Sequence, residues 1–369
     1  MGEPGMLPSI PQADPARRFA RFLPAIHEAI ASCLGSGWYI LGPAVERFEN
    51  DFAEYLGASH CVGVASGTDA LLLALQAVGV GPGDEVITVA LTAAGTAQAI
   101  LLCGAQPCFV DVDPLTRCMD PKAAAAAITP RTAAILPVHL YGQPADMSAL
   151  VEIAKRYGLA LIEDCAQAHG AHIAGRKLGT FGQAAGFSLY PTKNLGAPGD
   201  AGAVICSDPA TATRLRALRS YGWEDGSRIS SLTAGNSRLD ALHATVLSVL
   251  LPHLDEHNQE RRHLARAYFS ALQDLPFGLP PDDEGAVYHQ FALTCEKQEQ
   301  LRLHLSARGI STAIHYTPPL HLQPAFMGKE RDALPVTESL ARTLLSLPIQ
   351  PEVAGPHLDY IIKSITTWG

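Results

Sequence analysis

The sequence predicts an α/β protein in two parts. Residues 1–254 form N-terminal helices and a large domain with a mostly parallel mixed sheet covered by helices, and residues 255–369 form a smaller α+β domain. Three observations point there. Between Ser66 and Cys206, short apolar runs alternate with helical stretches of about a dozen residues, the pattern of crossover connections in a doubly covered sheet. After Asn236 the alternation gives way to longer helical stretches, one of them charged and amphipathic. Hydrophobic residues make up 47% of the chain and charged residues 17%, enough apolar side chains for a sizeable core.

Taken in order, residues 1–15 read as a loose lead-in. Helical spacing runs from Arg17 to Cys33 and stops at Gly35-Ser36-Gly37. Pro43 opens a second helix that ends near Tyr55, before Gly57. The segment after Ser66 is apolar nearly all round and reads as a buried helix. Strand Val86–Ala90, helix Ala93–Cys103, strand Cys108–Val112 and helix Pro121–Ile128 follow. Strand Ala133–Val138, helix Met147–Tyr157 and strand Leu159–Glu163 come next, with further strands at Ala185–Tyr190 and Ala203–Cys206. A helix over Leu239–Leu251 is interrupted by Pro252, and another covers Asp255–Leu275. Beyond the loop Pro276–Gly285 the spacing predicts strand Val287–Thr294, helix Gln298–Arg308, strand Ser311–His315 and two more helices.

Charge and composition exclude several classes. With 27 Lys+Arg against 36 Asp+Glu the net charge is −9, which disfavours nucleic acid and anionic membranes as partners. No apolar run approaches the ~18 residues that span a bilayer, and the N-terminus lacks a charged-then-apolar leader pattern. The eight cysteines spread from Cys33 to Cys295 with no Cys-x-x-Cys, as expected of reduced thiols in a cytoplasmic protein.

Three segments carry candidate chemistry. Lys193 follows an apolar strand and Pro191 in a Gly/Pro-rich loop, where a desolvated lysine can act as amine nucleophile or proton carrier; a solvated loop lysine is the plain alternative. Asp164 ends the run Leu159-Ala-Leu-Ile-Glu-Asp164, so it faces the ligand crevice of an open α/β sheet and could keep a heteroaromatic nitrogen protonated; it could equally cap the next segment. The turn Ser66-Gly-Thr68 runs straight into the buried helix, whose free N–H groups suit a phosphate, although ordinary capping by Ser66 or Thr68 explains it too. Together, an imine-forming lysine, a carboxylate for a pyridinium and a phosphate seat are the parts that pyridoxal 5'-phosphate (PLP) requires.

The ordered motifs sharpen this. Gly37-Trp-Tyr-Ile-Leu-Gly-Pro43, Ser66-Gly-Thr-Asp-Ala-Leu71, Val138-His-Leu-Tyr-Gly-Gln-Pro-Ala-Asp-Met147, Glu163-Asp-Cys-Ala-Gln-Ala-His-Gly-Ala171, Phe187-Ser-Leu-Tyr-Pro-Thr-Lys-Asn-Leu-Gly196, Asn236-Ser-Arg-Leu-Asp240 and Ile314-His-Tyr316 occur in this order. Over nearly the whole chain the sequence resembles the DegT/DnrJ/StrS family of PLP-dependent sugar aminotransferases, of aspartate-aminotransferase-like fold (fold type I). The resemblance implies that Lys193 forms the Schiff base with PLP, that Asp164 pairs with the pyridinium nitrogen, and that Gln167 lies against the ring. It further implies that Gly67, Thr68 and Ser188 hold the phosphate, and that Asn236 reaches the phosphate of the partner subunit in a homodimer with shared active sites. Tyr190, His315 and Tyr316 match positions lining the sugar site in relatives that act at C-3. The implied activity moves an amino group from L-glutamate or L-glutamine to a keto group of a nucleotide-linked sugar, tilted towards C-3 of a dTDP-linked 6-deoxyhexose. A C-4 keto sugar aminotransferase and a non-catalytic regulatory protein of the same fold are the alternatives. A sugar 3-dehydratase is disfavoured because those relatives replace the lysine by histidine.

Two positions depart from the family pattern. Gly199-Asp-Ala-Gly202 carries Ala201 where glycine is usual, which would be strained if that residue needed positive φ. Ala93 stands where many relatives place an aromatic residue over the ring. A metal is not expected: the 14 histidines include no His-Glu-x-x-His, and no cysteine or carboxylate pair completes a zinc set. The glycines of Gly79-Val-Gly-Pro-Gly-Asp84 follow a helix rather than a strand, so they are no dinucleotide fingerprint. His139 reads equally as a satisfied core residue or a ligand contact.

Overall fold

The structure, a computed structural model, describes residues 8–224, 227–326 and 333–368. Three helices come first: α1 (Pro15–Arg21), α2 (Leu23–Ser36) and α3 (Pro43–Leu56). The expected single helix from Arg17 is thus two, jointed at Phe22, because Pro24 suits the first turn of a new helix better than the interior of an old one. Gly35 and Ser36 stay helical, and the stop falls at Gly37, whose φ of 71° makes a left-handed cap.

Next come β1 (His60–Val64), α4 (Gly67–Ala77), β2 (Glu85–Val89), α5 (Ala94–Leu102), β3 (Gln106–Val110), α6 (Pro121–Ala126), β4 (Thr132–Ile135), α7 (Met147–Tyr157) and β5 (Ala160–Asp164). A two-residue hairpin, β6 (His172–Ile173) and β7 (Arg176–Lys177), precedes β8 (Ala184–Ser188), β9 (Gly202–Cys206), α8 (Pro209–Leu218) and α9 (Ala241–Leu250). Seven strands form one sheet in the order β1-β9-β8-β5-β4-β2-β3, and β9 alone runs against its neighbours. β3 begins earlier than the apolar pattern suggests, since Pro107 is tolerated in an edge strand.

Both faces of this sheet are covered. Alternate residues along its strands enter two cores: Val62, Val86, Ala134, Ile162 and Val204 pack with α4, α5 and α8, while Ile87, Ile135, Leu161 and Ile205 pack with α2, α3, α7 and α9. β1 lies antiparallel to β9, which lies antiparallel to β8. The carboxyl ends of β1, β8 and β5 therefore point the same way, and the segments that follow them meet at one crevice.

Pro252 does not end the helical path; a short 3₁₀ turn at Leu251–His253 leads into α10 (Leu254–Leu272). Then come β10 (Phe291–Thr294), α11 (Gln298–Ser306), α12 (Pro335–Thr343), β11 (Leu344–Leu347), α13 (Pro351–Ala354) and α14 (Leu358–Thr366). β10 and β11 pair antiparallel, and a further core joins residues of α10, α11 and α14 to Ile10 of the N-terminal segment. β10 is half its expected length because Tyr288 takes a φ of 41°, which no strand tolerates. The expected strand Ser311–His315 is reduced to one bridge, Ala313 to Ser346.

Candidate active site

Asp164 is the last residue of β5 and is buried. Thr96 Oγ1, from the first turn of α5, donates to its Oδ2 at 2.8 Å, and the Ala166 N–H donates to its Oδ1 at 3.1 Å. Burial raises the Asp164 carboxyl above the usual carboxylate range; the two hydrogen bonds and the nearby Lys193 charge oppose that rise. Lys193 lies in the loop between β8 and β9, with its N–H on Tyr190 O at 2.9 Å. Desolvation pushes its amine down to about 8, and the negative charge of Asp164 pulls it back up. Amine and carboxyl are thus close enough to feel one another while both are shielded from water.

Three histidines surround this amine. Burial first, and the Lys193 charge second, hold His169 down to about 3, His289 well below its ordinary value and His315 down to about 4. All three are neutral at pH 7, so none competes as a cation. His315 Nδ1 pairs with Ser346 Oγ at 2.9 Å and His289 Nδ1 with Asn194 Oδ1 at 3.1 Å.

The start of α4 forms the third wall. Ser66 caps the helix: its Oγ accepts from the Asp69 N–H at 3.1 Å and its carbonyl from the Ala70 N–H at 2.9 Å. The N–H groups of Gly67 and Thr68 are left at the open end, where helices leave donors unpaired. A Cβ on Gly67 would stand 2.5 Å from Ser188 Cβ, so only glycine lets the helix end close on the end of β8. A Cβ on Gly95 would stand 2.8 Å from Thr68 Oγ1, which brings the start of α5 to the same spot. An anion-accepting helix end, a serine hydroxyl, a buried carboxylate beside Lys193, and a depressed amine make a donor set that fits PLP.

Gln167 links the crevice to the C-terminal segment. Its Oε1 accepts from the Tyr141 N–H at 2.6 Å, and its Nε2 donates to Tyr316 Oη at 2.9 Å. Tyr141 Oη in turn donates to the His315 carbonyl. Burial raises the Tyr316 phenol to about 12, so it remains a neutral hydroxyl. Tyr190 is 49% exposed just beyond the end of β8. Asn236 is exposed and accepts from Arg238 Nε at 2.8 Å, and the adjacent Ser237 Oγ donates to Asp69 Oδ2 in the first turn of α4 at 2.9 Å.

Thr96, Tyr141, His169 and His289 were assigned no role from the sequence. Tyr141 and His169 lie within the motifs quoted above, but the contacts that bring residues to the crevice, Tyr141 to His315 and Thr96 to Asp164, are distant along the chain. Ala201 is buried and outside the left-handed region, so the departure from glycine there is free of strain. Ala93 caps α5 and offers only a methyl group. One buried group, His139, Glu163 and Cys165, has the composition of a metal site. Its carboxylate is already committed: Glu163 Oε1 accepts from the Phe181 and Gly182 N–H groups at 2.7 and 2.8 Å, and Oε2 from the Gly179 N–H at 2.8 Å and from His139 Nε2 at 3.2 Å. His139 Nδ1 accepts the Ala145 N–H at 3.1 Å, so this histidine is a core residue.

Fold and crevice together define an enzyme built around a phosphorylated heteroaromatic aldehyde and a lysine. The family profile of DegT/DnrJ/EryC1/StrS aminotransferases matches residues 24–366, and the chain belongs to that family. It is 47% identical over 367 residues to the dTDP-3-amino-3,4,6-trideoxy-alpha-D-glucose transaminase of Streptomyces venezuelae, covering 98% of this chain and 96% of that one. It is 46% identical over 345 residues to the erythromycin biosynthesis sensory transduction protein EryC1 of Saccharopolyspora erythraea, covering 92% and 94%. The crystal structure of S. venezuelae DesV in complex with a ketimine intermediate superposes with a TM-score of 0.95 at 46% identity, covering 98% of each chain. The protein is accordingly a PLP-dependent sugar aminotransferase. Among the described residues no helix is long and apolar enough to cross a membrane.

Proposed function

We propose that this enzyme transfers the amino group of L-glutamate or L-glutamine to the C-3 keto group of a dTDP-linked 6-deoxyhexose, with Lys193 and Asp164 as its catalytic pair. The carrying observation is that pair: a desolvated amine and a desolvated carboxyl beside a free helix end. The substrate class is supported by the 47% identity to a transaminase named for a 3-amino dTDP sugar.

When bound, PLP supplies an electron-withdrawing ring that stabilises negative charge on the carbon next to the reacting nitrogen. Asp164 would hold a proton on the ring nitrogen, and such a cationic N–H would restore the carboxylate that burial disfavours. Lys193 Nζ, lowered to about 8, would carry the proton from the donor's Cα to the cofactor carbon in the first half-reaction and from that carbon to the sugar carbon in the second. Gly67, Thr68 and Ser188 would hold the phosphate through N–H and hydroxyl groups, and Gln167 would lie against the ring. His315, neutral and tied to Ser346, lines the sugar site with Tyr316 and Tyr190.

The same reading makes the enzyme a homodimer with shared active sites. Trp38, Tyr39 and Ile40 are all exposed, and Ile40 bridges to Asp240 beside the exposed Asn236. Such an apolar run suits burial against a second copy, and Asn236 would then reach the phosphate held by the partner subunit.

The test offers the purified protein PLP and L-glutamate or L-glutamine, with dTDP-linked 3-keto and 4-keto 6-deoxyhexoses in parallel. Nitrogen should appear at C-3 of the product by NMR, and Lys193→Ala should lower turnover at least about a thousandfold. Amination at C-4 would overturn the sugar assignment, and native-like turnover without Lys193 would overturn the catalytic one.

A further inference from the structure

Arg18 lies on α1, 175 positions from Lys193 along the chain, and is only 5% exposed. Its guanidinium points into the Lys193 loop. Nη1 donates to the carbonyls of Lys193 and, at 3.5 Å, Asn194; Nη2 donates to Pro191 O at 2.7 Å and Gly196 O at 3.2 Å. A short loop thus turns four carbonyls towards one planar cation. Arginine suits this task, since its donors form a fixed fork, whereas a lysine ammonium is a single point. The loop's other ties involve different groups: Lys193 N–H to Tyr190 O, Ala197 N–H to Leu189 O, and the Asn194 side chain to Asn258, Val287 and His289, so the carbonyls of 191, 193, 194 and 196 are held by Arg18.

The segment carrying Arg18 is itself anchored to the C-terminal part of the chain. Ile10 bridges to Ile310, Gln12 Nε2 donates to Gln290 Oε1 at 2.8 Å, and the Asp14 N–H donates to Gln350 Oε1 at 2.7 Å. Arg21 pairs with Glu260 of α10 at 2.9 Å and with Glu352 of α13 at 3.4 Å.

We infer that Arg18 is a positioning residue for the catalytic lysine: it fixes the backbone of residues 191–196, and the N-terminal segment ties that loop to the β10–β11 side of the protein. The inference rests on the assignment of Lys193 as the amine that engages PLP. The four hydrogen bonds of Arg18 all go to carbonyls of the loop, so its effect is on where Nζ stands.

The test compares full-length native protein with Arg18→Met and Arg18→Lys, each stripped of PLP and then reloaded. Amide hydrogen exchange is read at Lys193 and Ala197, with β2 and β4 as internal controls. In Arg18→Met the loop amides should exchange about ten- to a hundredfold faster while the controls hold; Arg18→Lys should fall between, and added guanidinium ion should restore part of the protection. On reloading, kcat should fall about tenfold or more in Arg18→Met with KM for the sugar little changed. Loop exchange equal to native in both variants would overturn the inference, as would a loss of protection spread evenly over β2, β4 and the loop that Arg18→Lys shares. The exchange measurement needs neither cofactor nor turnover, so its failure is separable from a failure of the Lys193 assignment, which Lys193→Ala reports.

Discussion

Glu163 and Asp164 are consecutive residues of β5, and the pleat sends them to opposite faces of the sheet. On one side Glu163 is buried under a full complement of partners, with three backbone N–H groups and His139 filling its lone pairs. On the other, Asp164 is buried too but, among the described residues, accepts only from Thr96 and Ala166, and it feels the Lys193 charge. A satisfied carboxylate is a strut, and an under-satisfied one is held ready for a ligand. What separates them is whether the protein itself supplies every hydrogen-bond partner.

Substitution can break that contrast. Asp164→Asn should cost the most activity, about a hundred- to ten-thousandfold in kcat, because a neutral amide cannot hold the ring nitrogen's proton. Steady-state rates check this, and the melting temperature of the PLP-free protein should hold or rise, since a raised carboxyl has been removed. Glu163→Gln should do the reverse. Its amide would turn N–H groups towards backbone donors that need an acceptor, at a cost of about 2–4 kcal/mol in denaturant unfolding, while surviving folded enzyme keeps its kcat. Equal effects of the two substitutions on stability would erase the distinction.

The smallest effect sharpens the Lys193 side. Its amine is lowered to about 8 in the folded, PLP-free chain, so between about pH 8 and 10.5 the unfolded chain binds more protons than the folded one. Stability contributed by this residue therefore rises with pH across that window. Lys193→Met should be more stable than the PLP-free native protein at pH 7, by about 1–3 kcal/mol, with the gap closing towards pH 10.5. Urea unfolding at several pH values measures it; a gap independent of pH would contradict the depressed amine.

Much of this architecture was legible beforehand because it is local. Gly-to-helix turns, apolar runs and the Pro-Thr-Lys loop are written in adjacent residues, so α4, β5 and the surroundings of Lys193 were readable as they stand. β1 was not anticipated: His60-Cys-Val-Gly-Val64 is short and interrupted by Gly63, and its strand character comes from pairing with β9. β11 was not anticipated either, since Leu344–Leu347 follows its helix with no turn signal between the two. Thr96 and Arg18 serve residues 68 and 175 positions away, and nothing in their own neighbourhoods distinguishes them from any other threonine or arginine. Long-range polar pairing leaves no periodic trace.

The reversal of β9 has a mechanical consequence. Because β8 and β9 are adjacent and antiparallel, the segment bearing Lys193 stands on both strands like a footbridge, with the Leu189 N–H on Ala201 O at 2.8 Å near its two feet. The deck stays still while its passenger travels. Any excursion of the terminal nitrogen between one half-reaction and the next is then left to the four carbon–carbon torsions of its own side chain.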